Sequence, residues 1–570
     1  MVLHKSDWKS GAPKGRSQGI LDRLAGAWLL VLGLLVFFST IYGVVHYFSP
    51  LPYSDQWIGS IGFLQQLADG NTAAWWVPHM EHRIVLARVF FWLDANWFGG
   101  RNVFLFVAAV LLQSLTAMVF ITQAAQGRRR GSIFLIAGLC LVLLFSWIQY
   151  ENFTWGFQSQ FIAVYLFALM ASAVFSRGIN DGRPRMPALY WSIVPAVLAT
   201  VSMGNGLLVF PLLVFQSLLL RRPLKELAVP LIAGAVVGLV YFTGFTKPDI
   251  GLPSVPLADA LWLVPHFFLS FMGSATYFLI QDFTVSALFG LFSLVAMLAM
   301  TFSLYRHRKV TPYRSFLIAG YAFIAIAALA AATGRYPLGL GQAVVSRYGT
   351  PMLISWACLF LLAYDVAVKA ALRRAVVLVA VGLATWVATY QHNVNNDAPE
   401  LFRRDLAVLS IKAGIDRPDL TSAVFFADQR NYLMEQARFA AEINFGPYGS
   451  GWLHDAGVVK FDPARVDPAM CTGSYDMLRR LPEGMDAAGW VVLKRPTADR
   501  VLILLVDGAN ATVGYGVSGA IRDDVNAYSG VGRYRGWMGL IKAGASPAKA
   551  YAYDQGKFCE LPRGPGVSLD

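Results

Sequence analysis

The sequence predicts a polytopic α-helical membrane protein with a soluble α+β domain at its C-terminal end. Three observations predict it. The 570 residues are 56% hydrophobic and 14% charged, with a mean hydropathy of +0.51, too apolar for a soluble chain and too long for a simple anchor. Long apolar runs alternate with loops that are basic on one side and polar and aromatic on the other. After Gln391 the alternation stops, and the chain becomes charged and rich in Pro and Gly.

Residues 1–24 are a basic tail bearing Lys5, Lys9, Lys14, Arg16 and Arg23. The apolar run 25–48 lacks a small-residue cleavage pattern and reads as a retained first span, with the N-terminus in the cytoplasm. A first external loop follows over 49–101. In it, Ser54 is expected as an N-cap and Asp55 as the first residue of an amphipathic helix, with Trp57, Ile61, Leu64 and Ala68 at helical spacing and a stop at Gly70. The helix dipole there favours an ionised Asp55. A second interfacial helix is expected from Pro78, with Glu81, His82 and Arg83 in its first turns and Val85, Val89 and Trp92 on its apolar stripe.

Further spans are expected at 102–122, 132–147, 161–176, 187–201, 207–220, 227–245, 283–305, 315–332, 352–368 and 375–391, about eleven in all. The positive-inside rule holds across them, with Arg128–Arg130, Arg177, Arg221, Arg222, Arg306, Arg373 and Arg374 on one side. The apolar segment 261–280 contains Pro265 and His266 and would invert the charge pattern if it crossed. It is therefore expected to be re-entrant or interfacial. Residues 392–570 form the outer domain, helical over 400–441 and then carrying β-type runs (WVVLK, VLILLV, ATVGYGV, AKAYAYD) that suggest a small β-sandwich.

The net charge of +13 comes from 47 Lys+Arg against 34 Asp+Glu. Much of it lies in the tail and the basic loops, where topology and anionic lipid account for it, and no nucleic-acid fold signature accompanies it. Cys140 and Cys358 fall inside apolar runs as small hydrophobes. Cys471 and Cys559 bracket the outer β region, as a bridge in an oxidising compartment or as two separate thiols.

The unusual polar residues gather on the loops away from the basic clusters: Asp55, His79, Glu81, His82 and Arg83; Gln149, Glu151, Asn152, Trp155 and Gln158; Asn205; and Arg335, Gln342, Arg347 and Tyr348. Ionisable groups beside a bilayer are costly unless paired or functional. His79 and His82 are three apart rather than in HExxH spacing, which argues against a zinc site. A magnesium or manganese ion joining Asp55 and Glu81 to a phosphate suits hard oxygen ligands better.

A first span followed by a long external loop with two interfacial helices, an Asp just after that span, and Arg-bearing later loops resemble the GT-C superfamily of membrane glycosyltransferases. That group includes protein O-mannosyltransferases, aminoarabinose transferases and arabinofuranosyltransferases. The resemblance covers 25–391 and extends to the SDQW, EHR, ENFTWGFQ and SRYGTP stretches. It implies a GT-C-like catalytic membrane domain in the bacterial inner membrane with the C-terminal domain in the periplasm; there the β-type runs and Trp490, Tyr515, Tyr528 and Trp537 suggest either a carbohydrate-binding sandwich or structural support of the membrane part. It also implies a polyprenyl-phosphate sugar donor and a cell-envelope glycan or lipid acceptor. Asp55 aligns with the family's acidic residue on the first external loop, but Gln56 follows it, so a second carboxylate must come from Glu81 or Glu151. In the implied chemistry Asp55 is the base, and Arg335, Arg347, Arg83 and Lys247 are candidates to hold the donor phosphate. His79, His82, Gln149, Glu151, Asn152, Trp155, Gln158 and Tyr348 would contact substrate, with Trp75, Trp76, Trp155 and Tyr348 as stacking or belt aromatics. Direct displacement would invert the anomeric centre. A polysaccharide polymerase or ligase, or a lipid-linked glycan flippase, is the alternative.

Overall fold

The computed structural model describes residues 20–564 apart from 126–129, 178, 181–182, 185, 247–250, 252, 416, 496–499 and 530–532. Lys247 lies outside the described residues. The chain divides into two compact units, one formed by Met1–His46, Trp75–Val89 and Leu105–Asn396, the other by Tyr47–Ala74, Phe90–Phe104 and Asp397–Asp570. The first external loop is thus shared between the units.

In the first unit, nine helices among the described residues are long and apolar enough to cross a membrane, from Ile20–His46 to Ala370–Asn395. They coincide with nine of the expected spans. The other two, Pro187–Ser202 and Gly204–Leu219, are apolar but shorter. Leu257–Met272 and Ser274–Ile280, where a re-entrant or interfacial piece was expected, bend by 80° against each other. Helix contact is closest where side chains are smallest. A Cβ on Gly33 would stand 2.8 Å from the Gly138 carbonyl oxygen, so the first and third spans pack backbone to backbone.

Polar contacts mark the two ends of this unit. At the basic end Asp22 and Arg373 meet at 2.7 Å, Arg314 and Asp365 at 2.7 Å, and Arg222 and Glu226 at 3.0 Å. Tyr364 donates to Ser132 at 3.1 Å, and Arg373 donates to Tyr364 at 2.5 Å. At the opposite, polar end Gln391 donates to Thr40 at 2.8 Å and accepts from the Trp147 N–H at 3.0 Å, while Thr40 donates to the Phe145 carbonyl at 2.5 Å. The ends of sequence-distant spans therefore meet as the alternating topology requires.

In the second unit, the helical stretch after Asp55 begins two residues later than expected. Ser54 takes a positive φ of 49°, Asp55 lies in a turn, and a π-helix over Trp57–Gly62 runs into the α-helix Phe63–Ala68. Trp57, Ile61 and Leu64 are buried, but by protein. The Ser54 N–H donates to the Val424 carbonyl at 2.8 Å, Gln436 donates to Gln65 at 2.5 Å, and Gly62 abuts the Tyr432 hydroxyl. A stretch expected to lie on lipid is instead an internal element of this unit.

The expected sandwich is one curled antiparallel sheet. Its strands are β1 (Cys471–Leu481), β2 (Gly484–Leu493), β3 (Leu502–Val506), β4 (Thr512–Ala520), β5 (Gly536–Lys542), β6 (Lys549–Asp554) and β7 (Lys557–Leu561), in the order β1-β2-β5-β4-β3-β6-β7. The two edges meet. The Tyr475 N–H donates to the Pro562 carbonyl at 2.9 Å and the Gly564 N–H to the Tyr475 carbonyl at 2.9 Å, and the Cys471–Cys559 disulfide joins β1 to β7. Closure removes the exposed edges that invite aggregation. β3 is buried at every residue, because its neighbours curl around one face and helix Pro399–Ala413 packs on the sheet, held by Arg500 to Asp405 at 2.8 Å. This explains a continuous apolar run where an exposed strand would alternate.

Candidate functional site at the polar end of the helical unit

The segment Pro78–Ile84 is a turn, not the start of a helix. The His79 N–H donates to the His82 carbonyl at 2.7 Å and the His82 N–H to the His79 carbonyl at 3.0 Å, with Met80 at φ 48°. The helix begins only at Val85. Its buried face is Ile84, Ala87, Arg88, Phe91 and Asp94, and Val89 is exposed. The expected stripe of Val85, Val89 and Trp92 is therefore displaced.

Arg83 fixes this turn. Its guanidinium donates to the carbonyls of Tyr241 at 2.7 Å, Thr243 at 2.8 Å and Trp76, lies 4.6 Å over the Trp76 ring, and its N–H donates to the Tyr241 hydroxyl at 3.1 Å. With each guanidinium nitrogen donating to a carbonyl, Arg83 is a strut rather than the phosphate ligand expected of it. Arg88 donates to the carbonyls of Val77 at 2.5 Å and Trp75 at 3.1 Å, and burial lowers its pKa to about 10. His79 is buried 5.0 Å from the Phe157 ring, with its Nε2 lacking a partner among the described residues. Burial first, then the Arg88 charge, pushes its pKa down to about 4, so the imidazole is neutral at pH 7. His82 is also lowered, mainly by burial.

The turn presents Glu81 to Arg335 at 3.9 Å, with side chains 28% and 32% exposed. Glycine is required at 204, where a Cβ would stand 2.9 Å from both His82 Nδ1 and the Tyr241 hydroxyl. Asn205 follows Gly204 in the same short helical turn, Gly204–Leu208.

That second pair is built by two segments that interlock. Arg347 Nη1 lies 3.6 Å from Glu151 Oε2, and the Arg347 N–H donates to the same oxygen at 3.0 Å. The Glu151 N–H donates to Ser346 Oγ at 3.1 Å, and Ser346 donates to the Ile148 carbonyl at 2.8 Å. Asn152 Nδ2 donates to the Arg347 carbonyl at 2.9 Å and to Thr350 Oγ1 at 2.8 Å. Tyr348 packs on Phe271 at 4.8 Å. The buried carbonyl oxygens of Asn152, Gln158 and Asn205 lack partners among the described residues, and such atoms call for water or a hydroxyl-rich ligand.

Sequence reasoning brought Glu81, Arg335, Glu151, Arg347, His79, His82, Gln149, Asn152, Gln158 and Tyr348 into this unit, together with Trp155. It missed Gly204, Tyr241, Ser346 and Thr350, whose roles depend on partners distant in sequence; the SMGNG and SRYGTP turns were the available signals. Asp55 belongs to the other unit. Among the described residues no three His, Cys, Asp or Glu side chains form a group able to hold an ion, and Glu81, expected to share a magnesium or manganese ion with Asp55, faces the Arg335 guanidinium. In the outer domain, Trp537 is fully buried and donates to the Ser474 carbonyl at 3.2 Å, so it offers no face to a sugar. No protein-family model matches the chain, and no curated protein matches it.

Proposed function

We propose that the chain is an integral membrane glycosyltransferase that moves a sugar from a polyprenyl-phosphate donor to a lipid-linked or cell-envelope glycan acceptor, with inversion. One observation carries the reading: Arg335 and Arg347 are part-exposed guanidinia held only loosely by Glu81 and Glu151, at 3.9 and 3.6 Å, at one end of a set of membrane helices. Guanidinium forks with no closer carboxylate among the described residues suit a phosphate, and buried amide oxygens beside aromatic rings suit sugar hydroxyls. In the transfer, the acceptor hydroxyl oxygen bonds to the anomeric carbon and the bond from that carbon to the phosphate oxygen breaks. Its electron pair leaves on the polyprenyl phosphate, where arginine offsets the charge, and the hydroxyl proton passes to a carboxylate. The family resemblance implies Asp55 as that base; Glu81, in the same unit as the two arginines, is the alternative carboxylate.

The polar end and the 392–570 domain belong on the periplasmic face in this reading. The disulfide suits an oxidising compartment, and the basic residues at the other end suit the cytoplasm. A reporter fused after Asp570 should be active only as a periplasmic marker.

The test is transfer by the purified full chain, supplied with a polyprenyl-phosphate sugar and membrane glycan extract. D55N should lower transfer by about two to four powers of ten with insertion unchanged. If D55N matches wild type while E81Q does not, the base is Glu81. If both match wild type, the transferase reading fails, and movement of lipid-linked glycan across the bilayer becomes the activity to measure.

A further inference from the structure

We infer that Thr350 is a positioning residue that fixes Arg347, and with it the anion-binding geometry of the proposed function, on which this inference rests. Thr350 is fully buried. Its hydroxyl donates to Gln149 Oε1 at 2.5 Å and accepts from Asn152 Nδ2 at 2.8 Å. These directions are forced. Gln149 Nε2 faces the Leu144 carbonyl at 2.8 Å, and Gln149 Oε1 also accepts from Gln113 Nε2 at 3.2 Å. The Gln149 oxygen must therefore point at Thr350, which must donate to it. The remaining Thr350 lone pairs can only accept, so the Asn152 amide must present its NH₂, the group that also holds the Arg347 carbonyl at 2.9 Å.

Arg347 is thereby gripped at both backbone groups by consecutive residues, its N–H by Glu151 and its carbonyl by Asn152. Among the described residues its guanidinium has no comparable restraint, with Glu151 at 3.6 Å and the Tyr348 ring centroid at 5.8 Å. The direction of the side chain thus follows from the backbone, and the Asn152 NH₂ that holds it is anchored on its other side by the Thr350 hydroxyl. Removing that hydroxyl leaves the Gln149 oxygen and the Asn152 NH₂ each short of a partner in a buried site, and leaves Asn152 free to swing away from the Arg347 carbonyl.

The test is a titration of the full chain in detergent with a polyprenyl phosphate, followed by tryptophan fluorescence, with thermal unfolding measured alongside. Arg347→Ala should weaken affinity by about thirtyfold, Thr350→Val by about tenfold, and Thr350→Ser by less than about twofold. In the Arg347→Ala background Thr350→Val should cost nothing further, because it acts through Arg347. If Thr350→Val does not fold, Asn152→Ala removes the same hold on the Arg347 carbonyl and should show the same dependence on Arg347. A tenfold loss that persists without Arg347 would reduce Thr350 to a packing residue and overturn the inference. So would wild-type affinity in Thr350→Val beside a weakened Arg347→Ala, with the anion site itself left standing. Unchanged affinity in Arg347→Ala would remove the anion site and the positioning role together.

Discussion

The two ends of the helical unit hold their arginines in different ways. At the basic end Arg222, Arg314 and Arg373 lie 3.0, 2.7 and 2.7 Å from their carboxylates, all within charge-assisted hydrogen-bond length. At the polar end Arg335 and Arg347 stand 3.9 and 3.6 Å from Glu81 and Glu151, beyond it. The same residue types therefore do two jobs. Tight pairs tie helix ends together and leave few donors over, whereas loose pairs keep positive charge near a carboxylate and leave the guanidinium donors that the proposed function assigns to a phosphate. Arg83 shows that the division is not simply one of position, since at the polar end each of its three guanidinium nitrogens donates to a backbone carbonyl.

If this contrast is right, stability should depend most on the tight pairs. Arg222→Ala leaves Glu226, with a side chain only 4% exposed, as an uncompensated buried charge, and should destabilise the fold by about 3–5 kcal/mol in chemical or thermal unfolding. A loss no larger than that of a surface arginine would break the comparison at its basic end.

The next effect is a pH dependence. His79, with a pKa near 6.5 unfolded and about 4 folded, is neutral in both states above pH 6.5 and adds no slope there. Between 6.5 and 4 the unfolded chain takes up a proton that the folded chain refuses. Stability should fall on this account as pH drops through that window, by on the order of 3 kcal/mol at its lower end. Thermal unfolding of wild type and His79→Gln across pH 4–7 checks it, and the variant should lose that part of the slope.

Arg83→Lys should cost about 1–2 kcal/mol, because one ammonium cannot reach three carbonyls and lie over Trp76 as the planar fork does. The smallest effect is expected at the loose pairs, where Arg335→Ala should shift stability by less than about 1 kcal/mol. A shift as large as that of Arg222→Ala would mean that Arg335 too is a tie.

The spans were legible because apolar windows and basic loops are local signals, and Pro265 with His266 marked the segment that bends at Gly273. The turn at His79–His82 was not. Pro, Glu and Arg in PHMEHR read as a helix start, and what overrides them is Arg83 bonding to Tyr241 and Thr243, distant in sequence. The curled sheet was hidden for a similar reason. β1 is mixed in polarity, and its edge is closed by Pro562 and Gly564 and by Cys559, partners that no local pattern specifies. Glu81, Arg335, Glu151 and Arg347 stood out as charges beside apolar runs. Residue type alone could not separate Arg335 from Arg83, because the difference lies in how many donors the fold has already occupied.

The most direct test of the central claim is the transfer rate of the full chain in proteoliposomes, measured for two double variants against wild type. R335A/R347A removes the loose pairs, and R314A/R373A removes two of the tight ones. Loose-pair arginines that carry the chemistry predict a fall of at least about a hundredfold in the first, with its unfolding midpoint near that of wild type. The second should transfer at close to the wild-type rate per folded molecule despite a lower midpoint. Equal loss of transfer in the two variants, or full transfer in R335A/R347A, would contradict the account.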